Sequence, residues 1–122
     1  MDITQLYDYC LSLNGTSESF PFEKFDGDVL VFKVATKMFA LTSLKDWEKE
    51  NYWVNLKCDP DYALELRAQY EAVQPGFHMN KKHWNSVYFH QDLSDKEILK
   101  LIKHSYDLVV KSLPKKAQDE LQ

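Results

Sequence analysis

Between Phe77 and His90 the chain gathers most of the side chains that could do chemistry: His78, His83 and His90, the adjacent Lys81 and Lys82, the indole of Trp84 and the carboxamide of Asn85. Ammonium groups meet phosphates as mobile point charges, a carboxamide offers a donor and an acceptor to a base edge, and an indole face can stack on a base. The segment therefore reads as a nucleic-acid contact. Lys81 and Lys82 would hold the backbone, Asn85 would read an edge and Trp84 would stack, with His83 beside them. The competing reading is structural: Trp84 covers a sheet, Asn85 shapes a turn and the lysines form a solvated rim. Upstream, Lys33, Asn55 and Lys57 fall at positions that would form a polar stripe on one face of a sheet. With Lys81 they would make an anion-binding floor, or else the ordinary solvated face of an antiparallel sheet.

Other chemistries find less support. The spacings His78-x4-His83 and His83-x6-His90 match no zinc pattern, and no HExxH occurs, so no metal is expected. Ser105 has no Gly-x-Ser-x-Gly surroundings and should bond back to a carbonyl one turn earlier in its helix. Arg67 should pair with an acid near a sheet edge while its stem covers apolar surface. A P-loop, a dinucleotide fingerprint and paired catalytic acids are all absent from the sequence, so neither an enzyme nor a cofactor is expected.

The groups named must be positioned by a small domain. The chain has 122 residues, 44% of them hydrophobic, 28% charged and 14% aromatic, enough for one core and unlike a disordered segment. No apolar run is long enough to span a bilayer, and the acidic N-terminus does not resemble an export signal, so a cytoplasmic protein without membrane association is expected. Cys10 and Cys58 stand in no metal or redox spacing and read as free thiols in the core. Net charge is −4, but it is polarised. Residues 1–28 hold Asp2, Asp8, Glu18, Glu23, Asp26 and Asp28 against Lys24 alone. Residues 77–116 hold Lys81, Lys82, Lys96, Lys100, Lys103, Lys111, Lys115 and Lys116 against Asp92, Asp95, Glu97 and Asp107. If folding keeps these halves apart, one surface attracts anions despite the overall sign.

Hydrophobic periodicity orders the elements. Asp2 and Gln5 make a capping box for a helix carrying Ile3, Leu6, Tyr7, Cys10 and Leu11, which Gly15 stops. After a loop through Phe20-Pro21-Phe22 and a turn at Asp26-Gly27-Asp28, strands at Val29–Ala35 and Met38–Leu44 form a hairpin about Thr36-Lys37. In the next strand, Tyr52–Cys58, Val54, Leu56 and Cys58 face one way and Trp53, Asn55 and Lys57 the other. Asp59 and Pro60 open a second helix whose stripe runs Ala63, Leu66, Tyr70, Val73, up to Pro75-Gly76. Phe77–Asn80 and Trp84–His90 read as strands. Ser94 and Glu97 start the last helix, stapled by Leu93 and Ile98, with a seam of Ile98, Leu101, Ile102, Ser105, Val109 and Leu113 ending before Pro114. The fold class is α+β, with order α-β(3)-α-β(2)-α: one domain over residues 1–116 with an antiparallel sheet covered by helices mainly on one face, and residues 117–122 a frayed tail.

Several stretches resemble one family. Leu56-Lys57-Cys58-Asp59-Pro60, Leu66-Arg67, the run Pro75-Gly76-Phe77-His78-Met79-Asn80-Lys81-Lys82-His83-Trp84-Asn85-Ser86-Val87 and the closing Ser105-Tyr106-Asp107-Leu108-Val109-Val110 are similar to MmcQ/YjbR proteins. So are Phe32-Lys33-Val34 and Lys37-Met38-Phe39-Ala40. The doubled lysine Lys81-Lys82 departs from the pattern. The resemblance implies a fold shared with type III secretion chaperones and a DNA-binding role through a double-wing surface. DNA is thus the first expected partner, bound by the basic C-terminal half and the Lys81–Asn85 segment. Two alternatives stand beside it: an adaptor that binds another protein, and a small-ligand pocket walled by Trp84, Tyr88, His78 and the Phe20-Pro21-Phe22 loop.

Overall fold

The protein is described by a computed structural model covering residues 1–24 and 27–121. Asp26 of the turn read at 26–28, and Gln122, lie outside the described residues. The elements run α1 (Ile3–Ser12), β1 (Thr16–Ser19), β2 (Val29–Val34), β3 (Lys37–Ser43), α2 (Leu44–Glu48), β4 (Trp53–Lys57), α3 (Pro60–Gln69), β5 (Val73–Pro75), β6 (Trp84–Tyr88), α4 (Asp95–Ser112) and α5 (Lys115–Glu120). The strands form one antiparallel sheet in the order β1-β2-β3-β4-β6-β5, so the fold is α+β, as the sequence pattern implies.

Alternation sorts the strands into two faces. Leu30, Phe32 and Val34 of β2, Ala40 of β3, Val54 and Leu56 of β4 and Val87 of β6 meet Leu6 and Cys10 of α1, Trp47 of α2, Ala63 and Leu66 of α3 and the seam of α4 in the main core. Burial pushes the thiols of Cys10 and Cys58 up to about 12, so both are inert packing groups. The opposite face carries no helix. It holds a smaller cluster, Val31, Leu41 and Trp84, flanked by Val29, Met38 and Met79.

The register between β2 and β3 slips at Phe32/Lys33, which leaves Phe39 as the extra residue of a bulge. Phe39 and Ala40 consequently both enter the main core. The ladder between β3 and β4 stops short there, and Ser105 of α4 fills the gap. Its hydroxyl donates to the Phe39 carbonyl (2.5 Å) and accepts from the Lys57 amide (2.9 Å). Ser105 thus bridges two strands rather than bonding back along its own helix, because a bulge exposes a carbonyl to it that the helical pattern cannot reveal.

The structure differs from the sequence reading elsewhere too. The third helix ends at Gln69, not near Val73, because the Asp92 carboxylate captures the amides of Glu71 (2.8 Å) and Ala72 (2.9 Å) and turns the chain into β5. Those bonds also hold the Asp92 carboxyl below its usual range. The strand expected at Phe77–Asn80 is instead Val73–Pro75, and residues 77–80 form a turn over the sheet. Two elements escape the periodic pattern: β1, whose sequence TSES is polar, and α2, a five-residue helix capped by Ser43. Residues 115–120, read partly as a frayed tail, form α5, and Leu121 packs on the core.

Candidate nucleic-acid interface

Two loops frame the face that lacks helices: residues 20–24 on one side and residues 76–83 on the other. The second is fixed from below by three side chains. Asn55, buried on β4, donates to the Phe77 carbonyl (3.1 Å) and accepts from the Ser86 hydroxyl (2.5 Å), while the Phe77 amide donates to Ser86 Oγ (2.9 Å). From the other side of the sheet, Arg67 Nε donates to Asn85 Oδ1 (2.7 Å), and its terminal nitrogen donates to the carbonyls of Lys81 and Trp84. Among the described residues Arg67 pairs with no acid; its guanidinium instead ties the loop carbonyl of Lys81 to Trp84 and Asn85 at the start of β6. Gly76 lets this loop approach, since a Cβ there would meet Trp84 Cβ and O at 2.8 Å.

These anchors decide what the residues named from sequence can touch. Asn85 is 2% exposed and committed to Arg67, so its carboxamide faces the helices and not a ligand on the uncovered face. Asn55 is 1% exposed and spends one polar atom on the Phe77 carbonyl of the loop and the other on the Ser86 hydroxyl of β6. Trp84 is buried against Val31 and Leu41 and offers no free ring face. His83 is half-buried, and its carbonyl accepts from the Cys58 amide (2.8 Å). Lys81 is exposed but bonds the Gly76 carbonyl through Nζ (2.8 Å), whereas Lys82 is exposed and its ammonium makes no hydrogen bond or ion pair among the described residues. Lys33 and Lys57 do come together on the uncovered face. Lys33 lies opposite Met38 and Lys57 opposite Trp84, both at the same end of their strands.

At the other end of those strands lies a cleft of about 400 Å³, lined by Phe22, Val29, Leu41, Ser43, Asp46, Trp53, Asn55, Phe77, His78 and Met79. Phe22 and Phe77 are exposed, and the Phe77 ring lies tilted against His78, with centroids 4.0 Å apart and planes at 49°. His78 has a φ of 61°, a left-handed conformation that a non-glycine residue keeps only when its surroundings hold it, here the Asn55–Ser86 anchor. Sequence reading placed His78 and Phe22 in such a pocket, but Trp84 and Tyr88 do not line it. Ser43, Asp46 and Phe77 went unnoticed. Of these only Phe77 leaves a signal, an aromatic directly after Pro75-Gly76.

The basic C-terminal half does not form one surface. Lys96, Lys100, Lys103 and Lys111 are exposed on α4, on the helical side of the sheet, and two of them are paired, Lys100 with Glu97 (3.5 Å) and Lys103 with Asp107 (2.6 Å). On that side His104 Nε2 accepts from the Asp59 amide (3.2 Å), and desolvation holds its pKa below the usual value. Among the described residues no three His, Cys, Asp or Glu side chains form a metal-binding group, and no helix is long and apolar enough to cross a membrane.

A single antiparallel sheet with helices on one side and a loop-framed cleft on the other defines a small α+β domain. The YjbR family profile matches residues 11–108, and the chain belongs to that family. It is 40% identical to YbdF of Escherichia coli O157:H7 over 75% of this chain and 73% of that protein. It is 36% identical to YjbR of Escherichia coli K12 over 93% of this chain and 92% of that one. The crystal structure of Deinococcus radiodurans DR2400, of domain family DUF419, superposes with a TM-score of 0.88 at 33% identity, covering 98% of this chain and 87% of that one.

Proposed function

We propose that the domain binds single-stranded nucleic acid, DNA foremost, across the uncovered face of its sheet. The observation that carries this reading is the pairing, on one helix-free face, of lysines at one end (Lys33 and Lys57) with exposed aromatic side chains at the other (Phe22 and Phe77). Lysines track a phosphate backbone and aromatic faces take unstacked bases, the combination that single-strand binders use. The stacking role passes from Trp84 to Phe77 and Phe22. A duplex fits less well, because reading a groove requires a protruding helix or ribbon, and this face is recessed between loops. The family resemblance to DNA-binding proteins points the same way.

With Lys33, Lys57 and Lys82 as backbone contacts, the affinity for single strands should fall with salt at a log–log slope near −2, at about 0.7 per contact. Anisotropy titrations of a labelled single strand against the matching duplex, over a range of salt, test it. Replacing Lys33 and Lys57 together by Ala should weaken binding and shallow the slope by about 1.4. Absence of single-strand binding at the lowest salt, a preference for duplex, or a double variant that binds unchanged would overturn the reading.

A further inference from the structure

The cleft holds two polar groups whose hydrogen-bonding capacity the fold leaves unused. Asp46 Oδ2 accepts from the Trp53 indole (2.8 Å) and lies 3.4 Å from Asn51 Nδ2, which fixes the carboxylate, while Oδ1 takes no hydrogen bond among the described residues. Ser43 Oγ accepts from the Asp46 amide at the start of α2 (3.3 Å), and among the described residues its hydroxyl proton has no acceptor. Both residues line the cleft, with Trp53, Phe22 and the Phe77–His78 pair around them. An ionised carboxylate can only accept, and the hydroxyl of Ser43 is left to donate. Side by side, they ask for a ligand edge that donates next to where it accepts.

We propose that this cleft is a binding site for a flat nitrogen heterocycle bearing an amino group beside a ring nitrogen, the edge that adenine and cytosine present. The amino group donates to Asp46 Oδ1, the ring nitrogen accepts from Ser43 Oγ, and the ring lies against the aromatic walls. A uracil or thymine edge matches less well: its N3–H can donate to Asp46 Oδ1 while O4 accepts from Ser43, but its second carbonyl then lies against the carboxylate and opposes it. A simple cation also matches poorly, since it offers nothing to the Ser43 proton and makes little use of the walls. The size agrees: about 400 Å³ falls within the roughly 300–1,000 Å³ of typical ligand sites. The inference rests on the single-strand reading by assigning the cleft to one unstacked base.

Free nucleosides test it apart from the lysines. In a titration of the isotope-labelled protein followed by NMR, adenosine and cytidine should shift the Trp53 indole N–H and the Phe77 and His78 amides saturably. Uridine should bind about tenfold or more weakly, the scale of one hydrogen bond to a charged group. Asp46→Asn, which retains an acceptor for Trp53, should remove the preference, and Phe77→Ala should weaken all three nucleosides together. Equal binding of uridine, shifts that map elsewhere, or a preference that survives Asp46→Asn would overturn the inference. If single strands bind through Lys33 and Lys57 while nucleosides do not bind, the base site alone is wrong. If nucleosides bind as stated and no strand does, the cleft stands as a small-ligand site and the single-strand reading falls.

Discussion

The two faces of this sheet are completed to different degrees. Beneath the helices, Ser105 joins the Phe39 carbonyl to the Lys57 amide, and the Trp47 indole donates to Thr42 Oγ1 (2.9 Å). Each of these groups finds its partner within the core. On the loop-framed face, Asn55 and Ser86 are likewise consumed in holding residues 76–79, but the layer above them is left incomplete: Phe22 and Phe77 are exposed, and Asp46 keeps an unused oxygen. The first face is closed over by helices and the second leaves aromatic side chains open to solvent, with the Asn55–Ser86 pair at the boundary between anchored loop and open cleft.

The largest effect should come from breaking the helical side. Ser105→Ala strands a carbonyl and an amide in a site with no solvent access, at roughly 1–3 kcal/mol for each orphaned group. Urea denaturation should show a loss of about 2–6 kcal/mol, and a loss below about 1 kcal/mol would mean that the bulge closes without the hydroxyl. Asn55→Leu should cost less, about 1–2 kcal/mol, because the loop above can lift and admit water. Its clearer signature is local: hydrogen exchange at the Phe77 amide should accelerate far more than exchange in α4. Uniform acceleration through the protein would erase the difference between the faces. The smallest effect concerns pH. Desolvation lowers the pKa of His104, whose Nε2 must stay unprotonated to accept from the Asp59 amide. The folded state therefore binds fewer protons than the unfolded chain. The contribution of His104 is complete above pH 6.5, the ordinary histidine value, and is lost as pH falls below it through the folded-state pKa. Melting temperatures of wild type and His104→Gln should diverge above pH 6.5 and converge below it, and a constant difference would remove His104 as the cause.

The sequence made the helical side legible because that side is periodic. The capping box at Asp2 and Gln5, the Asp59-Pro60 start and the α4 seam all stand where spacing puts them. Alternation in β4 likewise separated Val54 and Leu56 from Trp53, Asn55 and Lys57, and Lys33 and Lys57 do share a face. What stayed hidden depends on contacts distant in sequence. Arg67 and Asn85 are eighteen positions apart, Ser105 and Phe39 sixty-six. Without those contacts Asn85 reads as an exposed base reader and Ser105 as a local helix bonder. The strand β1 was missed for another reason: an edge strand needs few apolar residues, and TSES has none.

The bulge at Phe39 ties together parts of the chain that no local rule connects. By letting two consecutive residues enter one layer, it places a phenylalanine ring edge-on to Tyr106, with centroids 5.5 Å apart, without lengthening the strand. That gain leaves a carbonyl in need of a donor, and the donor sits on the last long helix, next to that same tyrosine. Strand and helix are therefore coupled in stability as well as in space. A descendant that straightened β3 would strand the hydroxyl, and one that lost the hydroxyl would strand the bulge. Drift along this lineage can move either feature only by way of a less stable intermediate, so the pair resists change more firmly than the burial of either residue alone would suggest.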